Sequence, residues 1–307
     1  MEITASKPGY GPRPFVRPFV LWLEDAARSL GGGNSTVTGT GRTAMSKLPE
    51  ITIFFWIMKI CATTLGETAG DLMSMTMNVG YAISSIILIS AFLVTLLVQL
   101  ATKKHSPLLY WLVILWTSTA GTTMSDFMDR TLELGYLKGS LILVGILAGI
   151  LLFWRLTVKD LDVVNIKTRK VELLYWTAIL FSNTLGTALG DFLSDDTGLG
   201  FAAAAGIIWG AQLVVVLVYR FTPVSRVILF WVAFVLTRPL GATMGDLMTK
   251  TRAEGGLDFG TAGSSAVLGG VLIFFIVLSM RKHRKLAKEL PGEDPSLELL
   301  ESEMEGR

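Results

Sequence analysis

The chain has 307 residues, of which 51% are hydrophobic and 17% are charged. Soluble domains carry roughly 25% charged residues, so this composition predicts a membrane protein rather than a soluble one. A single cysteine, Cys61, excludes a disulfide framework and a cysteine-rich metal site.

Residues 1–44 precede the repetitive part of the chain and form a predicted flexible extension. Their first residues are rich in proline, and a glycine-rich stretch at 31–41 is typical of a linker. Between these parts, residues 19–30 fit one short amphipathic helix on a membrane surface. The alternative is an extension without function. The apolar run here is too short and too interrupted for a signal peptide.

Four copies of one motif organise the rest of the chain. In each copy a Gly follows a Trp by ten residues and an Asp follows the same Trp by fifteen. The copies span Trp56–Asp71, Trp111–Asp126, Trp176–Asp191 and Trp231–Asp246. The corresponding repeats cover about 50–102, 105–157, 170–221 and 225–281. A fixed period of this kind determines the architecture before any other feature.

Each repeat contains two apolar segments separated by a glycine-marked turn. The first segment runs from the Trp through the Asp, and the second segments cover about 81–100, 139–156, 201–219 and 261–280. Each is about long enough to cross a hydrocarbon core of ~30 Å. The sequence therefore predicts an all-α polytopic membrane protein with eight transmembrane helices in a domain spanning 45–281.

Lysine and arginine concentrate in the segments between repeats and in the two flanks. The positive-inside rule then places both termini in the cytoplasm. All four repeats insert in the same direction, so they are parallel copies. Residues 282–307, first basic and then acidic, form a predicted cytoplasmic tail.

A polar stripe runs along the first helix of repeats one to three, because residues three, four and seven apart share a helix face. Repeat four departs from this pattern with Arg238, Pro239 and Ala242. Such a stripe faces a bundle interior rather than lipid. Pairs of small residues, such as Gly66 and Gly70, allow the four first helices to pack centrally with the second helices outside. The candidate ion- or proton-binding residues are Asp71, Asp126, Asp191, Asp246, Glu67, Asp129, Thr64, Thr119, Thr184, Thr68 and Arg238. The four repeated aspartates are the candidate metal ligands.

Crowded carboxylates repel one another, so some must be protonated or neutralised by a bound cation. An acidic, hydroxyl-rich lining without histidine suits hard cations such as Mg²⁺, Mn²⁺, Na⁺ or H⁺. Arg238 is the basic group in this stripe, and Lys59 lies twelve residues before Asp71. The repeated Trp is predicted to be an interfacial anchor at the cytoplasmic end of each first helix, with a gate as the alternative.

The block from Ser46 to Ala82 and its three later copies resemble a bacterial family of uncharacterised membrane-anchored proteins. That family is built from four tandem copies of a repeat of unknown function, each with two transmembrane segments and a signature Trp. The resemblance covers roughly 46–280. It implies a multi-pass protein of the bacterial inner membrane with eight spans, and it implies no activity, substrate or site residue.

Three classes of function remain at the level of sequence. The leading hypothesis is transport of a hard cation or a proton through a central site lined by carboxylates and hydroxyls. The alternative is a membrane scaffold or accessory protein in which the polar stripes only hold the bundle together. An intramembrane aspartyl protease is disfavoured because no Asp follows a Gly-x-Gly sequence, so no enzyme activity is expected. The expected partners are the bilayer and an inorganic cation or proton, with no cofactor and no nucleic acid. The oligomeric state stays open.

Overall fold

The computed structural model describes residues 52–102, 106–158 and 168–289. In this part of the chain the protein is helical and contains no β-strand, which confirms the predicted all-α class. It comprises α1 (Ile53–Asp71), α2 (Tyr81–Ala101), α3 (Pro107–Asp126), α4 (Tyr136–Val158), α5 (Arg169–Asp191), α6 (Gly200–Phe221), α7 (Arg226–Thr249) and α8 (Thr261–Glu289). Odd-numbered helices are the first helices of the repeats, and even-numbered helices are the second.

Some sequence predictions concern segments outside the described residues. These are the extension at 1–44, the basic loops at 103–105 and 159–167, and the acidic end of the tail from 290 onward. The last helix extends to Glu289, beyond the predicted boundary at 281. Residues 281–289 are mostly Arg, Lys, Leu, Ala and Glu, which have high helix propensity.

The first helices begin and end at local signals. The hydroxyl of Ser106 accepts a hydrogen bond from the amide of Leu109 and caps α3, and Thr168 does the same for Val171 in α5. Directly after Asp71, Asp126 and Asp191 comes a five-residue π-helical turn. The turn after Asp71 is followed by Gly80 at φ 80°, a left-handed conformation that glycine adopts without a steric penalty.

The fourth repeat departs from this pattern. Its first helix contains Pro239 and continues past Asp246 to Thr249 without a π-helical turn. A short 3₁₀ turn at Arg252–Glu254 follows, in which the Thr251 and Glu254 side chains form a capping box. The extended end of α7 places Lys250 one turn beyond Asp246.

The four first helices form a closed ring of contacts. Helix α1 packs against α3, α3 against α5, α5 against α7, and α7 against α1. Each second helix packs mainly against the first helix of the following repeat, so α2 lies on α3 and α8 lies on α1. The repeats therefore interlock rather than standing as separate two-helix hairpins.

Glycines at equivalent positions bring the ring helices together. In each repeat, the glycine five residues before the Asp lies against a residue of the next repeat, and that residue stands eight positions before its own Asp. The four pairs are Gly66 on Ser118, Gly121 on Asn183, Gly186 on Arg238 and Gly241 on Thr63. A Cβ at Gly241 would lie 2.7 Å from the Thr63 carbonyl carbon. Close backbone approach at small residues is a common way for helices to associate in lipid.

Five helices in the described part of the chain are long and apolar enough to cross a membrane: α2, α4, α6, α7 and α8. The second helices expose large apolar side chains on their outer faces, including Ile86 at 67% and Leu141 at 64% exposure. These faces suit contact with lipid acyl chains. Helices α1, α3 and α5, which carry the polar stripes, belong to the central ring of first helices.

Candidate functional site

The polar and charged side chains that the sequence assigned to the site are buried. Every predicted site residue is less than 6% exposed, including the four aspartates at 2–4%. Buried polar and charged groups are costly unless they are paired or hydrogen-bonded. The interior of the ring therefore requires partners for each of these side chains, and the structure supplies most of them.

Glu67 lies where all four first helices meet. Its Oε2 atom is 2.9 Å from Nη1 of Arg238 on α7, 3.2 Å from the hydroxyl of Thr122 on α3, and 3.5 Å from the hydroxyl of Thr187 on α5. The guanidinium of Arg238 also donates to the backbone carbonyls of Thr63 and Ser118. This fully buried ion pair fills the ring interior and ties three helices to α1.

The four aspartates form the next layer toward the carboxyl-terminal ends of the first helices. Lys250 Nζ lies 3.3 Å from Asp71 and 3.2 Å from Asp246. Arg130 lies 3.1 Å from Asp126 and 3.9 Å from Asp191. Each base thus bridges the Asp of its own repeat, four residues earlier, to the Asp of the next repeat around the ring.

Three carboxyl groups converge closely enough to share one cation. One oxygen each from Glu67, Asp191 and Asp246 lies within 4.8 Å of the other two. All three side chains are buried. Carboxylate oxygens in this number are suitable ligands for a hard divalent ion.

A recess of about 370 Å³ opens beyond the aspartate layer. Its walls include the four residues that follow the aspartates by four positions, namely Met75, Arg130, Asp195 and Lys250. The recess therefore leads from the end of the bundle to the two bases that bridge the aspartates.

The opposite end of the ring is closed by aromatic side chains. The aromatic residue sixteen positions before each Asp packs against the Trp of the following repeat in a tilted or edge-on arrangement, with ring centroids 5.5–6.3 Å apart. This aromatic layer consists of Phe55, Trp56, Tyr110, Trp111, Tyr175, Trp176, Phe230 and Trp231. The hydroxyls of Tyr110 and Tyr175 share a hydrogen bond of 3.0 Å.

The aromatic layer corrects the prediction that the repeated Trp is an interfacial anchor. Trp111, Trp176 and Trp231 are 2%, 0% and 7% exposed, and Trp56 is half-buried. Interfacial anchors sit at the level of lipid headgroups, whereas these rings pack against one another inside the bundle. The exact repetition of an aromatic residue before each Trp was the signal for this arrangement.

Several predicted site residues face elsewhere. Thr68 accepts a hydrogen bond from Ser265 on α8, outside the ring interior. Asp129 accepts one from Ser125 and lies against Gly139 on α4. The hydroxyls of Thr64, Thr119 and Thr184 donate to carbonyls four residues earlier in their own helices. The thiol of Cys61 points to Leu268 on α8.

Sequence reasoning missed Arg130 and Lys250. Each stands four residues after an Asp, a spacing at which oppositely charged side chains meet on a helix. That spacing was a usable signal.

The fold and its buried polar interior define a helical membrane protein built from internal repeats. Four consecutive segments of the chain, 54–105, 109–160, 174–224 and 229–285, match the family described as Repeat of Unknown Function (DUF347). The chain belongs to this family, as the sequence resemblance predicted. Comparison with curated proteins and with solved structures finds no match.

Proposed function

We propose that this protein transports a hard divalent cation, such as Mn²⁺ or Mg²⁺, across the membrane. The observation that supports the proposal most directly is the convergence of Glu67, Asp191 and Asp246 oxygens within 4.8 Å. Asp71 and Asp126 extend this site around the ring. The proposal includes no catalytic step.

The charge balance of the ring interior also favours a cation. Five carboxyl groups, Glu67 and the four aspartates, face three basic side chains, Arg238, Arg130 and Lys250. Moving an unpaired carboxylate out of water costs several kcal/mol in real proteins. A divalent cation bound among the carboxylates would compensate the two charges that the bases leave unmatched.

The route through the protein follows the ring interior. A cation enters from the recess, displaces Lys250 and Arg130 from the aspartates, and binds between Asp191, Asp246 and Glu67. Passage further requires separation of Arg238 from Glu67 and rearrangement of the aromatic layer. Because both barriers close the interior in the conformation described, the proposal is a transporter with alternating access rather than an open channel.

For the membrane topology, we propose eight spans with the four first helices in the centre. The polar stripes of α1, α3 and α5 are shielded by the neighbouring helices, which allows these less apolar helices to cross the bilayer. The positive-inside rule places the aromatic layer toward the cytoplasm and the recess toward the outside of a bacterial inner membrane. Both termini are then cytoplasmic.

The test is Mn²⁺ and Mg²⁺ flux into proteoliposomes that contain the purified protein. We expect flux by wild type and loss of flux in Asp191→Asn and Asp246→Asn. The control Asp258→Asn removes an exposed carboxylate at the same end of the bundle and is expected to transport normally. Absence of flux of both ions in wild type would contradict the proposal.

The scaffold hypothesis has one specific observation in its favour. The hydroxyls of Thr64, Thr119 and Thr184 are hydrogen-bonded within their own helices, and Arg238 binds backbone carbonyls across the ring. In a scaffold these polar groups only stabilise the bundle. Asp191→Asn would then lower stability without any loss of a transport activity, because wild type would have none.

A further inference from the structure

Lys59 is a buried amine that the proposed cation site does not use. It is 0% exposed, and its Nζ has no hydrogen-bond partner among the described residues. The amine lies 4.1 Å from the centre of the Phe234 ring on α7. An isolated ammonium ion in such surroundings is very unfavourable, so the side chain requires a neutral state or a compensating contact.

The surroundings of Lys59 are apolar on every ring helix. The residue twelve before each Asp is Lys59 in α1, Ile114 in α3, Ile179 in α5 and Phe234 in α7. The last three are no more than 1% exposed. A lysine therefore replaces an apolar residue at one of four equivalent positions, between the aromatic layer and the Glu67–Arg238 pair.

The titratable and charged neighbours of Lys59 are few. Between the aromatic layer and the level of Arg238, α1 carries Cys61 besides Lys59, α3 carries Tyr110, α5 carries Tyr175 and α7 carries Arg238. Helix α8 has no titratable residue between Leu268 and Phe275, the stretch that packs against Cys61 and Phe54 of α1. Arg238 has the same sign of charge as an ammonium ion, so it cannot serve Lys59 as a counter-charge.

We propose that Lys59 is the proton-carrying residue that couples proton movement to cation transport, an inference that rests on the proposed function. In the conformation described, the amine is neutral. When the interior opens, the Nζ lone pair binds one proton from solvent on one side, and the resulting ammonium later releases it on the other. Only an N–H bond forms and breaks, so the step needs no further reactant.

The coupling follows from repulsion between positive charges in the same interior. Lys59 and Glu67 are eight residues apart on α1, about 12 Å along the helix. At this distance and an effective dielectric constant of about 20, one unit charge changes proton affinity on the order of tenfold. A cation at Glu67 therefore favours the neutral amine, and departure of the cation favours the ammonium. Cation and proton consequently move in opposite directions.

The hydroxyl pair in the aromatic layer provides a path toward the amino-terminal ends of the ring helices. Tyr110 and Tyr175 share a hydrogen bond inside this layer, and the buried Glu172 lies one turn before Tyr175 in α5. Hydroxyl groups both donate and accept hydrogen bonds. In the proposal, these groups carry the proton between Lys59 and the end of the bundle once the interior has opened.

The test uses proteoliposomes with an internal pH dye and an internal Mn²⁺ dye, to which external Mn²⁺ is added. The variants are Lys59→Met, which removes the amine, and Lys59→Arg, which keeps a permanent positive charge. Ile114→Met is the matched control at the equivalent position of α3. Mn²⁺ binding is measured in a separate experiment, as the rise in melting temperature that Mn²⁺ causes in detergent.

Wild type and Ile114→Met are expected to exchange protons for Mn²⁺. Lys59→Met is expected to bind Mn²⁺ as wild type does, whereas Lys59→Arg is expected to bind it on the order of tenfold more weakly because its charge is permanent. Both variants are expected to lose proton movement. Proton exchange at the wild-type rate in Lys59→Arg would overturn the inference, because proton movement would then not require an amine that gains and loses a proton. Wild-type Mn²⁺ flux without proton movement would also overturn it and would leave the proposed function intact. A wild type that neither binds nor transports Mn²⁺ or Mg²⁺ would contradict the proposed function itself.

Discussion

The two halves of the central ring are built from the same four helices but are filled by different kinds of side chain. Toward the amino-terminal ends, eight aromatic rings pack in a repeating pattern, and the buried amine of Lys59 lies beneath them. Toward the carboxyl-terminal ends, four aspartates are bridged by two bases below an open recess. The Glu67–Arg238 pair separates the two halves.

This difference shows how a repeated sequence produces an asymmetric interior. The backbone contacts are common to all four repeats, because the glycine positions repeat in each of them. The charged groups break the symmetry: Lys59 and Glu67 occur in the first repeat, Arg130 in the second, and Arg238 and Lys250 in the fourth. A ring whose backbone packing repeats but whose charged residues differ between repeats fits the proposed directional transport better than it fits a symmetric pore.

The largest expected effect comes from removing the group between the two halves. Arg238→Met leaves Glu67 buried without its counter-charge, and breaking a buried ion pair from one side costs about 3–5 kcal/mol. The free energy of unfolding in mixed detergent is the measurement. The double variant Arg238→Met/Glu67→Gln removes both charges and is expected to recover most of the loss. Equal stability of the single variant and wild type would show that the pair does not hold the ring.

Lys250→Met alters the carboxyl-terminal half and is expected to have effects of opposite sign on stability and on binding. The ammonium bridges Asp71 and Asp246, and hydrogen bonds to charged groups contribute about 1.5–3 kcal/mol. Its loss lowers stability by about that amount. It also removes a competitor for the carboxylates, so Mn²⁺ affinity rises on the order of tenfold.

The matched control for Lys250→Met is Arg252→Met, since Arg252 is a nearby exposed base. This control is expected to change neither stability nor Mn²⁺ affinity. Weaker Mn²⁺ binding in Lys250→Met would mean that the lysine supports the cation site rather than occupying it.

Gly241→Ala tests the close packing of the ring helices, which both halves share. The new Cβ meets the Thr63 backbone at 2.7 Å, and overpacking of this kind costs about 1–3 kcal/mol. Gly145→Ala in α4 is the control, because nothing lies within 4 Å of a Cβ at that position. Thermal unfolding of both variants checks the prediction. A control that melts as early as Gly241→Ala would argue against close packing of the ring.

An effect no larger than that of Gly241→Ala is expected in the amino-terminal half. Tyr110→Phe removes one hydroxyl of the Tyr110–Tyr175 pair and leaves the other without its partner, at a cost of about 1–3 kcal/mol for an unsatisfied buried group. The double variant Tyr110→Phe/Tyr175→Phe removes both hydroxyls and is expected to be closer to wild type. Additive losses in this double-mutant cycle would show that the two hydroxyls do not interact.

The sequence predicted the helical class, the four tandem repeats and the burial of the polar stripes, because each depends on periodic local patterns. It did not predict the partners of individual residues. The sequence placed Thr68 in the site, although its hydroxyl accepts a hydrogen bond from Ser265 on α8. Spacing alone does not distinguish a helix position that faces the ring interior from the next position along the chain. The Trp residues were misassigned because their burial depends on which repeats become neighbours.

The interlocking of each second helix with the following repeat also had no local signal. It arises from tertiary packing, in which α2 lies on α3 and α8 closes back on α1. The bridging role of Lys250 required both the i+4 spacing to Asp246 and the placement of Asp71 on the neighbouring helix. Only the first of these two facts is present in the sequence.

The central claim is that the carboxylates of the ring bind a divalent cation. The most direct measurement is the melting temperature of the detergent-purified protein as Mn²⁺ or Mg²⁺ is titrated. A ligand at ~100 times its Kd stabilises the folded state by roughly 2.7 kcal/mol. The variants to compare with wild type are Asp191→Asn in the proposed site and Thr68→Ala outside it.

We predict that one or both ions raise the melting temperature of wild type and Thr68→Ala, and that Asp191→Asn responds little. No response of wild type to either ion, or an equal response in Asp191→Asn, would contradict the claim. The polar interior would in that case serve to hold the helices together.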